Sequence, residues 1–88
     1  MLSFLRRALA AVDRDATAHR IRRIRDPATG RRRPVLATVG LWRLVDDTAR
    51  DRGISPEALC QSALAAHPDL IPGEAVWRYL LDTTPKPE

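Results

Sequence analysis

The 88-residue sequence predicts a mainly α-helical fold with a short β-ribbon, assembled as a dimer, plus an N-terminal amphipathic helix and a short C-terminal helix. Three observations predict it. After residue 40, apolar residues recur at helical spacing in three separate stretches. Before residue 40, Val35, Ala37 and Val39 alternate along one face of an extended stretch. The chain is also too short to stabilise itself comfortably. A domain of this size buries only about 60–65% of its unfolded surface, and one small core supplies roughly 3–5 kcal/mol. Cys60 is the one cysteine, so no internal disulfide forms, and a lone cysteine fits a reducing, cytoplasmic setting. His19 and His67 are far apart with no cysteine at ligand spacing, so neither a structural zinc nor another cofactor is expected. Association with a second copy is the remaining route to stability.

The elements follow in order. Leu2, Leu5, Leu9 and Val12 recur at helical spacing, which predicts a helix over about 2–12. Its Arg6 and Arg7 interrupt the apolar run, unlike a secretory signal. Residues 19–25 read as an extended segment, and residues 26–30 as a turn. There Asp26 bonds the backbone two residues on, Pro27 presets φ, and Gly30 supplies positive φ. Pro34 cannot donate a ladder hydrogen bond, so it belongs at the start or edge of the strand that follows.

Leu41 to Arg52 reads as a helix with Leu44, Val45 and Ala49 on its apolar stripe and Trp42 at the rim. Asp46 and Arg50 form a favourable i,i+4 pair on its wet face, and Gly53 ends it. Ser55-Pro56-Glu57 opens the next helix as N-cap, first helical residue and first-turn acid. Leu59, Cys60, Ala63 and Leu64 follow on its apolar face. Residues 74–81 form a third helix around Val76, Trp77 and Leu80. Residues 83–88 form a flexible tail with nothing to bury.

The charge divides the chain. Residues 1–33 hold ten arginines against three aspartates, a net +7. Residues 34–88 hold five basic and eight acidic groups, a net −3. The reading is a basic arm over 1–33 and an assembling body over 34–82. Fourteen of the fifteen basic residues are arginine, which a GC-rich genome would produce, but such bias does not place ten of them in the first 33 positions. Seven arginines between residues 20 and 33 (Arg20, Arg22, Arg23, Arg25, Arg31, Arg32 and Arg33) repel one another unless a polyanion offsets them. No aromatic residue interleaves with them, which favours duplex phosphates over stacking on single strands. Trp42 and Trp77 read as core or dimer-interface anchors, and Cys60 as an inert buried thiol. No nucleophile–base pair and no glycine-rich phosphate cradle appears, so the chain does not read as an enzyme. No stretch approaches 18 apolar residues, so integral membrane association is not expected.

Trp42, Val45, Ala49 and Gly53 match a Trp-x-x-Leu-x-x-x-Ala-x-x-x-Gly pattern. Ser55 and Leu59 follow at the next cap and core positions, and Ala75, Val76, Arg78, Leu80 and Leu81 close the chain. Over residues 35–81 this resembles the ribbon-helix-helix family of bacterial DNA-binding proteins. The resemblance implies an obligate dimer with an intersubunit antiparallel ribbon in the major groove of duplex DNA. It also implies Ser55 at a phosphate-binding helix start and a role as a small transcriptional regulator.

Val35, Ala37, Val39, Trp42, Val45, Ala49, Leu59, Ala63 and Trp77 would form the core and dimer interface. Thr38, with the seven arginines and Ser55, would contact DNA. The strand departs from the family pattern. With Val35 and Val39 inward, Thr38 is its one polar outward residue, and Leu36 meets bases or solvent. Leu36 can touch a thymine methyl but reads no donor/acceptor pattern. Residues 34–39 pair either with their own copy or with residues 19–25 of the same chain; in the second arrangement an intramolecular hairpin replaces the family's ribbon and the DNA reading loses most of its support. The alternative function is a protein-interaction module that dimerises through its helices and binds a partner through the N-terminal helix or basic arm.

Overall fold

A computed structural model describes residues 18–84. The helix expected over 2–12, and most of the tail, lie outside them. Two strands, β1 (His19–Arg25) and β2 (Arg32–Thr38), are followed by three helices: α1 (Val39–Arg52), α2 (Pro56–Ala66) and α3 (Pro72–Thr83). A two-stranded sheet followed by helices is the expected class in its coarse form.

The strands pair with each other. β1 and β2 form an antiparallel hairpin in which Ile21 faces Leu36, Arg23 faces Pro34 and Arg25 faces Arg32. The basic segment is thus built into the same sheet as the strand thought to begin the body, and the charge boundary near Pro34 is not a structural boundary. The turn explains the pairing. The Asp26 amide donates to the Arg31 carbonyl (2.8 Å), the Gly30 amide to the Asp26 carbonyl (2.7 Å), and the Ala28 amide to the Asp26 carboxylate (2.9 Å). Gly30 sits at φ 72°, the left-handed conformation that closes the loop.

Each helix has a local cause. Thr38 caps α1, accepting from the Leu41 amide (3.1 Å), so the helix begins at Val39, two residues earlier than its apolar stripe suggests. Val39 is therefore a half-buried helix residue and not a third inward strand residue. Gly53 ends α1 at φ 69° and returns its amide to Arg50. Ser55 caps α2 through the Ala58 amide (3.0 Å), with Pro56 next. α3 starts at Pro72 instead of Glu74, because proline suits a first helical position whose N–H is unpaired anyway.

The core lies between the inner sheet face and the helices. Val35, Val45, Leu59, Val76 and Leu80 are its largest fully buried apolar side chains apart from Cys60, with Ile24, Ala37, Trp42, Ala49 and Ala63 also buried. Trp77 is only partly buried and packs at the margin. Burial pushes the Cys60 thiol up to about 11, which keeps it protonated and inert.

One edge of the hairpin is covered. Ladder bonds join 26 to 31 and 18 to 39, so by alternation the Leu36 carbonyl points away from β1. Gly73, in the first turn of α3, sits against that carbonyl so closely that a Cβ there would collide with it. The obstacle is backbone and cannot rotate aside. Gly73→Ala is expected to cost about 2 kcal/mol, read as a lower midpoint in urea unfolding with an unchanged slope. An unchanged midpoint would show that α3 is not held against β2.

Candidate nucleic-acid interface

The pleat divides the seven arginines. Arg20, Arg22 and Arg33 lie on the inner face with Ile24, Val35 and Ala37; Arg23, Arg25 and Arg32 lie on the outer face with Ile21, Pro34 and Leu36. Arg31 is exposed in the turn.

Two of the inner arginines, Arg22 and Arg33, serve the fold, whereas the exposed Arg20 guanidinium donates to the adjacent His19 carbonyl (2.9 Å). Arg22 makes a two-pronged ion pair with Asp46 of α1 (2.7 and 3.0 Å), and its guanidinium lies 4.6 Å from the centre of the Trp42 ring. The Trp42 indole N–H donates to the Arg20 carbonyl (3.0 Å). These contacts clasp the hairpin to α1. The Arg22 hydrogen bond, ahead of the opposing effect of burial, holds the Asp46 carboxyl below its ordinary range. Arg33 pairs with Asp26 (3.1 Å), and the Ala28 amide, then Arg33, lowers the Asp26 carboxyl. Asp46 thus pairs across the fold instead of with Arg50, which sits 3.6 Å from Asp47.

The outer arginines have no such partners. Among the described residues, Arg20, Arg23, Arg25, Arg31 and Arg32 make no ion pair with a carboxylate. Arg25 donates to the Gly30 carbonyl (2.6 Å), and Arg32 leans toward the Arg23 carbonyl (3.4 Å). Arg25 and Arg32 stand directly opposite in a close, non-hydrogen-bonded pair, where like charges destabilise a sheet. Glu57 of α2 touches the Arg25 amide (3.4 Å) and relieves this only in part.

The outer face is graded along its length. At its base, His19 faces Thr38, whose hydroxyl already caps α1. Then comes the apolar pair Ile21–Leu36, 61% and 54% exposed. Beyond it are Arg23 and Pro34, and at the tip Arg25 and Arg32. Ser55 is likewise spent on its own helix.

A cleft of about 280 Å³ between the hairpin and the start of α2 is walled by Arg22, Arg23, Arg32, Pro56 and Glu57. The predicted contact set is therefore split. Arg23, Arg25, Arg31 and Arg32 remain available, Arg20 is exposed on the other face, and Arg22, Arg33, Thr38 and Ser55 have structural partners. Ile21 is the residue the sequence reading missed. It lies three positions from Ile24, and a strand puts residues three apart on opposite faces, so one of the two had to be exposed.

No helix among the described residues is long and apolar enough to cross a membrane. No family model, curated protein or solved structure matches the chain.

Proposed function

We propose that the chain binds duplex DNA through the outer face of its β-hairpin and serves as a small DNA-binding regulator. The observation that carries this reading is the Arg25–Arg32 pair, like charges directly opposed across the hairpin, beside Arg23; none of the three has a carboxylate partner among the described residues. Residues 19–38 carry seven arginines and one aspartate, a net +6; Asp26 pairs with Arg33 and Asp46 of α1 with Arg22, which leaves five arginines without a carboxylate partner among the described residues. A two-stranded ribbon fits a major groove about 12 Å wide. β2 pairs with β1 on one edge and meets Gly73 on the other, so the shared ribbon that the family resemblance implied is replaced by an intramolecular hairpin, and the proposal loses that support and rests on the outer-face arginines alone. Dimerisation, which the resemblance implies, would then proceed through other surfaces.

Fluorescence anisotropy on a labelled duplex tests the proposal. Binding is expected at 50 mM salt, with log K falling by about 0.9 per phosphate contacted for each unit of log salt. Four available arginines at or beside the outer face predict a slope of roughly −3 to −4. No binding at 50 mM salt would end the reading.

A second reading, a protein-interaction module, is favoured by the exposed apolar residues Ile21, Leu36 and Ile71. It predicts partner capture that nuclease treatment leaves unchanged.

A further inference from the structure

We infer that the Ile21–Leu36 pair recognises thymine methyl groups, so that the hairpin distinguishes A·T from G·C pairs by an apolar contact and not by hydrogen bonds. This rests on the duplex-DNA reading above and goes beyond it to the feature that is read.

Ile21 and Leu36 are directly opposed in a non-hydrogen-bonded pair, where Cβ atoms lie roughly 4.5–5.5 Å apart. They therefore form one continuous apolar spot. Both are more than half exposed, although each is a branched aliphatic that burial would favour. On the same face the next pairs are Arg23–Pro34 and Arg25–Arg32. A ligand matching this gradient must offer an apolar group within reach of a line of anions. Base edges in the major groove present one apolar group, the C5 methyl of thymine, flanked by phosphates.

Two of the polar side chains expected to contact DNA are already engaged. The Thr38 hydroxyl accepts from the Leu41 amide, and Arg22 is held by Asp46 behind the sheet. The apolar spot suits a methyl group, while His19 and Arg23 flank it on the same face and Arg25 and Arg32 lie beyond, placed to meet phosphates or base edges; replacing thymine by deoxyuridine isolates the methyl contact from theirs.

The test compares a thymine-containing duplex with one in which every thymine is replaced by deoxyuridine. The replacement removes the methyl and leaves base pairing unchanged. Each methyl buried is worth about fourfold, so contact with two or three predicts a loss of roughly 10- to 50-fold. The slope against salt should stay the same. Ile21→Ala with Leu36→Ala, both exposed positions, should bind both duplexes equally with the same salt slope. Placing 5-methylcytosine in a G·C duplex should strengthen wild-type binding.

Equal affinity for the thymine and deoxyuridine duplexes would overturn this inference and leave the DNA proposal standing. Discrimination that survives in the double variant would overturn the assignment to Ile21 and Leu36. No binding to any duplex, with capture of poly-glutamate instead, would overturn both this inference and the DNA proposal, and give the face to an acidic protein.

Discussion

Replacing Arg23, Arg25 and Arg32 together with alanine is expected to weaken duplex binding by about two to three decades at 50 mM salt, while raising thermal stability in low salt. The two effects have one cause. Each guanidinium that meets a phosphate makes a charge-assisted hydrogen bond worth roughly 1.5 kcal/mol net, so three contacts amount to about three decades at most. The slope of log K against log salt should fall by about 2.7. In the free protein the same charges oppose one another across the hairpin. Removing them should raise Tm by roughly 1–5 °C in low salt, and the gain should vanish above about 0.5 M, where screening already quiets the repulsion. Salt should correspondingly stabilise the unmodified protein while weakening its binding. A matched substitution at Arg43, Arg50 and Arg78, exposed on the helices, is the control. If that control variant loses as much affinity, the arginines act only through net charge and the hairpin has no privileged role. If the hairpin variant binds normally, the outer face is not the contact surface.

Much of this arrangement was legible in the sequence, and the illegible part has a common physical origin. Local rules placed the helix ends and the turn: Gly53 at positive φ, the Ser55 hydroxyl oxygen accepting from the Ala58 amide, and Asp26 organising the turn. Each depends on residues within four positions. Contacts made across the fold were not legible. Asp46 has a good local partner in Arg50, and its actual partner, Arg22, lies 24 residues earlier and arrives only because the hairpin folds back. The arginines read as one cluster, yet the pleat sends Arg20, Arg22 and Arg33 to one face and Arg23, Arg25 and Arg32 to the other. That division depends on register, which the turn length sets and composition does not reveal. The apolar pair was half legible. Leu36 is out of phase with Val35 and Ala37, and Ile21 with Ile24, but only the register opposes the two outliers.

The clasp between hairpin and helices is the place where one substitution should undo the fold. Trp42→Ala is expected to leave the chain largely unfolded at 25 °C. Trp42 is 3% exposed, and truncating a buried tryptophan costs about 3–5 kcal/mol, comparable to what so small a core supplies. The loss is more than volume. The Trp42 ring supports the Arg22 guanidinium, and its N–H holds the Arg20 carbonyl, so the hairpin loses its anchor to α1 together with the packing.

Trp42→Phe keeps most of the apolar area and drops the indole hydrogen bond and the better cation–π partner, at about 1–2 kcal/mol. Asp46→Asn keeps the ring and removes the charge facing Arg22. Because both side chains are more than a third exposed, its cost should be about 1 kcal/mol. The sign against pH is fixed by the depressed Asp46 carboxyl. Its contribution is full above the unfolded carboxylate value near 4 and is lost as pH falls through the lower folded value. Acid unfolding of Asp46→Asn should therefore be shallower than that of the unmodified chain. Urea titrations at pH 7 and pH 3 order the variants as Asp46→Asn, Trp42→Phe, Trp42→Ala by increasing damage at the higher pH. Equal damage from Trp42→Phe and Trp42→Ala would mean that the polar handle of the indole, and not its bulk, holds the hairpin in place. A stable, fully folded Trp42→Ala would mean that the hairpin is held by the Ile24, Val35 and Ala37 packing alone, and that the Arg22 clasp is an ornament of the surface.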